Sequence, residues 1–293
     1  MTLKVHVLLA GLLIVGGAQA QHQGHSPDVA QGVSTAVGPK AAARATGAPW
    51  SSLPTLSASF GGGRGAAALR LSGIDADKVT VFAPGGASER RVVDYPVADG
   101  RASIQASAPM MGNYHWAQAR EQRDGVIRVA STVWYFSNPG DAPTSLLERR
   151  KSELEIVPQP LPREHAQYRE SEKWRFLVRW QGQPLAGQAL TLETEHGSRA
   201  MAFTDDAGIA ALVFPRDFGA QKAEAGGHGG RERAGFVLST AYSTGDQTYL
   251  TAFNHVYVPE AERSRSLVWG AAFGLVGMVI AAPLLRRKEN DNA

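Results

Sequence analysis

Trp174-Arg175-Phe176-Leu177-Val178-Arg179-Trp180, a turn at 181–187, Gln188-Ala189-Leu190-Thr191-Leu192-Glu193-Thr194-Glu195, and Ala202-Phe203-Thr204-Asp205-Asp206-Ala207-Gly208-Ile209-Ala210-Ala211-Leu212-Val213-Phe214 are the stretches whose reading decides the fold. In the first, Trp174, Phe176, Val178 and Trp180 alternate with Arg175, Leu177 and Arg179, the period-2 pattern of a strand with one buried face. Gly182, Pro184 and Gly187 turn the chain so that Leu190 and Leu192 can reach the same core from the next strand. At Thr204 to Gly208 the aspartate side chains can accept bonds from the following N–H groups, and Gly208 can take a positive φ. Short strands punctuated in this way predict part of an antiparallel sandwich.

Working outward, residues 154–157 give a further strand of this unit, and the proline-rich 158–162 leads to the next. Residues 235–242 and 248–258 predict a closing hairpin across Thr244-Gly245-Asp246. The glycine-rich Ala225 to Gly230 reads as a loop. Upstream, strands are expected at 55–60, 66–71 and 78–83. One hairpin is expected from 91–96 to 102–106 across Asp99-Gly100, and another from 113–121 to 126–136 across Asp124-Gly125. In the second strand of the latter, Thr132, Trp134 and Phe136 oppose Val133 and Tyr135, so both of its faces carry bulk. Two prolines and a polar run at 139–150 mark a domain boundary. The chain is therefore expected to be mainly β, with one sandwich over 53–150 and a second over 151–260.

The turn Gly182-Gln183-Pro184-Leu185-Ala186-Gly187, followed by Thr204-Asp205-Asp206-Ala207-Gly208 and an apolar strand, resembles the carboxypeptidase-regulatory-like or transthyretin-like β-sandwich modules. With Leu154-Glu155-Ile156-Val157-Pro158 ahead of it, the arrangement is similar to a periplasmic family associated with nickel uptake. The resemblance covers roughly residues 153–258. It implies Ig-like or transthyretin-like sandwiches, an exported location and a binding or accessory role in place of catalysis.

The two ends bear on location. Lys4, an apolar run at 5–18 and Ala18-Gln19-Ala20 read as a signal peptide over 1–20, so the mature chain would begin at Gln21. Residues 21–52 hold few large apolar side chains and read as a flexible linker. Residues 267–285 carry no charge, are long enough for a membrane span, and are followed by Arg286-Arg287-Lys288 in a short cytoplasmic tail, 286–293. Gly270, Gly274 and Gly277 have the spacing that lets membrane helices approach, and scattered glycines are also common in such spans. This arrangement places the bulk in the periplasm on a single inner-membrane anchor. Residues 21–266 hold 26 basic and 25 acidic side chains, a balance that offers no nucleic-acid surface. The chain has no cysteine, which excludes disulfides, thiolate metal sites and cysteine nucleophiles.

Histidine is the residue type whose placement invites chemistry. In Gln21-His22-Gln23-Gly24-His25 the terminal amine, the next backbone nitrogen and the His22 imidazole can take three corners of a square plane. His25 or His228 would supply the fourth, a geometry that Ni(II) and Cu(II) favour. The same pair also reads as polar filler in a mobile tail. The resemblance adds Co(II) to the candidate ions and a metal transporter or another envelope protein as partner. His115 and His255, inside strands beside aromatics, read as partly buried and hydrogen-bonded in preference to metal ligands, and Asp205-Asp206 as a structural turn. No nucleophile elbow, zinc-protease helix or phosphate-binding loop is present, so no catalytic residue and no enzymatic activity is expected. A second reading dispenses with metal: a module that contacts envelope proteins or polysaccharide through exposed edges and loops.

Overall fold

The computed structural model describes residues 49–60, 65–107, 114–136, 143–162, 167–219 and 232–260, together with 276 and 278. The expected signal peptide, all but the end of the linker, and the anchor apart from Val276 and Met278 lie outside these residues. Val276 and Met278 are helical and exposed. Among the described residues no helix is long and apolar enough to cross a membrane.

The chain is mainly β, with sandwich-like layers. Strands β1 (Thr55–Phe60), β2 (Ala66–Ser72) and β5 (Arg101–Gln105) make a small antiparallel sheet. β3 (Lys78–Phe82), β4 (Val92–Pro96), β6 (Tyr114–Arg123) and β7 (Val126–Tyr135) belong to a larger one. After a short helix α1 (Thr144–Glu148) come β8 (Leu154–Pro158), β9 (Tyr168–Arg169), β10 (Lys173–Trp180) and β11 (Gln183–Pro184). The chain continues through β12 (Ala189–Thr194), β13 (Arg199–Phe203), β14 (Ile209–Val213), β15 (Ala234–Thr244) and β16 (Gln247–Val258). β8, β10, β11 and β14 form the sheet facing β13-β12-β15-β16.

The two halves share one sheet. β16 runs parallel to β7, with Ala252 opposite Ala130, so the large sheet reads β13-β12-β15-β16-β7-β6-β3-β4 with β9 added at β16. This explains the bulk on both faces of β7, where Trp134 packs toward one core and Val133 and Tyr135 toward the other. Ala117, Ala119 and Ala130 are small enough for β1, β2 and β5 to pack close, and they form one core with Leu56, Leu69, Val79 and Ile104. On the opposite face Tyr114, Trp116 and Val133 join a second core with Leu154, Ile156, Phe176, Val178, Leu190, Leu192, Phe236 and Phe253. Burial of each such side chain contributes roughly 1.5–3 kcal/mol. Residues 53–150 thus share their second core with strands from beyond the expected boundary.

The Asp124-Gly125 hairpin forms as expected, with φ of 50° and 73° at its two central residues. The hairpin expected across Asp99-Gly100 does not form. The turn itself is made, with φ of 51° and 68°, but β4 leaves it to pair with β3 and β5 to pair with β2. A good turn sequence fixes a reversal of direction, and here the two arms enter different sheets. Gly208 behaves as its position predicts: φ is 72°, and a Cβ there would lie 2.8 Å from the Val178 carbonyl oxygen.

Arg179 departs from the alternation read in the sequence. Its face of β10 is covered by α1 and the segment after it, and the residue is 5% exposed. The Arg179 guanidinium donates to Glu155 at 2.7 Å and to the carbonyls of Glu148 and Arg149.

Candidate functional site

Gln21, His22, His25 and His228, the residues proposed from sequence to hold a metal, lie outside the described residues, as does His165. The structure places His115, His196 and His255. His115, on β6, is 1% exposed and lies edge-on to Phe136 with ring centroids 4.7 Å apart. Its Nε2 accepts the Ser107 backbone N–H at 3.0 Å, so the neutral ring carries its proton on Nδ1. Burial pushes its pKa down to about 4 from the ordinary 6.5. His255, on β16, is packed between Tyr168 and Phe236, and burial lowers its pKa as well. Both are structural histidines. His196 sits exposed in the turn after β12, edge-on to Phe218. Among the described residues no three His, Asp or Glu side chains converge in a way that could hold a metal ion. Asp205 accepts the N–H groups of Ala207 and Ile209 at 3.0 and 2.9 Å, the structural turn expected of Asp205-Asp206.

Two polar clusters, one buried and one half-buried, went unread in the sequence. The first joins the halves of the chain. Glu155 on β8 accepts from Arg179 and from the Lys151 backbone N–H at 2.9 Å. The Lys151 ammonium lies 3.7 Å from Glu155 and 4.6 Å from the centre of the Trp116 ring, and it donates to the Leu146 and Arg149 carbonyls. Burial lowers the Lys151 pKa to about 8, against the opposing pull of Glu155. A lysine with a lowered pKa is a candidate nucleophile, but this side chain is 0% exposed and all its bonds hold the end of α1. The recess beside it, about 340 Å³ and lined by Gln118, Arg120, Arg150, Lys151, Ser152 and Glu153, is open and polar.

The second cluster gathers on Asp217, which accepts from Thr194 at 2.8 Å, from Ser198 at 2.5 Å and from the Tyr257 hydroxyl. Burial and this carboxylate raise the Tyr257 pKa far above its usual value. Glu170 accepts the N–H groups of Phe218 and Glu260 beside it. Both carboxylate oxygens of Asp217 are engaged, tying the chain after β14 to β12, the turn that follows it and β16. No sequence motif marks either cluster. The clue was a charged residue at an inward or covered strand position, as at Glu155 and Arg179.

What the body does present is an open side on the second sandwich. The exposed large apolar side chains include Met201 at 61% and Phe203 at 62% on β13, and Val213 at 54% on β14. Among the described residues β13 is an edge of the large sheet and pairs with β12 alone, and β14 pairs with β10 alone.

No family model and no curated protein matches the chain. Among solved structures it is similar to a 1.5-MDa bacterial ice-binding adhesin, at 14% identity and a TM-score of 0.24, over 67% of this chain and 58% of that one. It is also similar to a two-domain fibronectin type III segment of chicken tenascin, at 9% identity and a TM-score of 0.21, over 70% of this chain and 98% of the other. A SusE-like surface polysaccharide-binding protein from Bacteroides thetaiotaomicron aligns over 67% of this chain and 32% of its own, at 9% identity and a TM-score of 0.21. At these scores none of the three bears on function.

Proposed function

We propose that the chain is a periplasmic accessory protein, held to the inner membrane by residues 267–285, which binds a ligand without transforming it. Its Ig-like, transthyretin-like sandwiches are the scaffold. Its ligand is a transition-metal ion, Ni(II), Co(II) or Cu(II), taken at the amino terminus by Gln21, His22 and His25 with His228 as a further donor, for delivery to a transporter or another envelope protein. The observation that carries this reading is the fate of the body's own imidazoles. His115 is buried and His255 is half-buried among aromatic rings, both with lowered pKa values, and in the sequence it is the amino-terminal pair that is grouped closely enough to chelate.

The reading is tested by isothermal titration of the mature chain. Deprotonating a backbone nitrogen needs a strongly polarising ion, so Cu(II) and Ni(II) should bind far more tightly than Zn(II), Mg(II) or Ca(II). Affinity should fall below about pH 6 as protons compete for the amine and imidazole. His22→Ala and removal of the first five mature residues should each abolish uptake. If the wild type takes up neither ion, or both variants bind as well as it does, the metal reading fails. A second reading, an interaction module without metal, is favoured by the exposed Met201, Phe203 and Val213.

A further inference from the structure

β13 is a five-residue edge strand whose hydrogen-bonding phase can be read from the ends of its ladder with β12. Thr204 donates to the Gln188 carbonyl at 2.9 Å and Thr194 to that of Ser198 at 3.0 Å. In an antiparallel pair the bonded and non-bonded positions alternate. The pairs Leu190–Ala202 and Leu192–Ala200 are therefore the bonded ones, while the N–H and C=O groups of Arg199, Met201 and Phe203 point to the open edge. Among the described residues none of these backbone groups has a partner. The same three residues put their side chains on the exposed face.

Exposed edges in soluble proteins are usually blunted by charge, proline or a bulge. The opposite edge of this sheet is blunted in that way: β4 ends in Pro96 and carries Asp94, bonded to Lys78 at 2.5 Å and Thr80 at 2.6 Å. β13 has none of these devices over Ala200–Phe203, and its one charge, Arg199, is engaged by Glu193 at 3.1 Å.

We propose that β13 pairs antiparallel with β13 of a second copy, joining two large sheets edge to edge across a two-fold axis. The sequence of the strand selects this occupant, because it is complementary to itself. The register that uses all three unpaired residues places Met201 against Met201 of the other copy, and Arg199 against Phe203 on both sides of the axis. Methionine on methionine is an adaptable apolar contact. Arginine opposite phenylalanine allows a cation–π contact. No like charges face each other, which directly opposed strands would not tolerate. The pairing does not depend on the metal reading, since neither the amino-terminal residues nor His228 takes part.

The absence of native cysteine makes the test direct. Full-length Met201→Cys in its membrane, treated with a mild oxidant, should give a disulfide-linked dimer as the main product. The paired Cα atoms would lie about 5.5 Å apart, within disulfide reach. Val92→Cys, exposed at 42% away from β13, should stay monomeric under the same treatment. In detergent the wild type should sediment at twice the monomer mass. Met201→Lys and Phe203→Lys, each shown folded by circular dichroism, should sediment as monomers and bind Ni(II) or Cu(II) as the wild type does. If Met201→Cys cross-links no more than Val92→Cys, or if both lysine variants keep the dimer mass, the pairing is wrong. The edge would then belong to a different chain or to another segment of this one.

Discussion

His115 supplies a measurable acid sensitivity. The residue is 1% exposed, and burial holds its pKa at about 4, whereas the unfolded chain protonates it near the ordinary 6.5. Between those values the unfolded state binds more protons, so stability must rise with pH across the window. The contribution is complete above about pH 6.5 and is lost as pH falls toward 4. Each pH unit between the two pKa values is worth about 1.4 kcal/mol, so keeping the ring neutral accounts for about 3 kcal/mol at neutral pH. His255, half-buried and with its pKa also lowered, acts in the same direction. Urea unfolding of residues 21–266 at a series of pH values from 7.5 to 4 measures the slope, about 3 kcal/mol more of which should be lost by the wild type than by His115→Gln. Glutamine can still accept the Ser107 N–H but does not titrate. Taking the difference between the two proteins cancels the carboxylates that also titrate in this range. An NMR titration of the ring itself should place its midpoint near pH 4. Parallel stability curves for the two proteins, or a midpoint near 6.5, would refute the reasoning.

Two further outcomes concern the cores. Glu155→Gln leaves the buried Arg179 and Lys151 without their carboxylate and should cost about 3–5 kcal/mol in urea unfolding. Glu153→Gln, which breaks the part-exposed pair with Arg120, should cost under about 1. Equal effects would mean that the buried cluster is not what holds the segment between the halves. Phe176→Ala should cost about 3–5 kcal/mol through lost burial and the cavity left behind, against well under 1 for exposed Arg175→Ala, and similar small losses at both would put the register of β10 in error.

Strand positions and most turns were legible because their causes are local. Alternation marks a half-buried strand, and an aspartate-glycine pair marks a reversal, as at Asp124-Gly125. What joins the strands is not local. The parallel contact of β7 with β16 links segments far apart in the sequence, and neither carries a mark of the other. The same limit explains the Asp99-Gly100 error, where the reversal was right and the pairing wrong. It also explains Arg179: alternation assigns it to the face of β10 away from the sandwich core, and only the fold shows that the end of α1 covers that face with the Glu148 and Arg149 carbonyls while β8 supplies Glu155. The metal-binding reading of Gln21, His22, His25 and His228 rests wholly on sequence, since all four lie outside the described residues.

The edge at β13 illustrates a stronger form of the same limit, because there the local signal points the wrong way. In Arg199-Ala200-Met201-Ala202-Phe203 hydrophobicity alone would send Met201 and Phe203 inward and leave the alanines to solvent. The structure does the reverse, since Leu190 and Leu192 must face the core and their partners in the ladder, Ala202 and Ala200, must face it with them. A slip of one residue would bury the large side chains and expose the small ones. The turn at Thr204, whose hydroxyl accepts the Gln188 N–H at 2.8 Å and donates to the Leu185 carbonyl at 2.6 Å, helps hold the register against that slip. Two large apolar side chains are thus kept in water beside unpaired backbone groups on a strand that local burial would have arranged otherwise. That arrangement gives up core packing that a one-residue shift would offer, and pairing with a second copy is the use for which this strand is complementary.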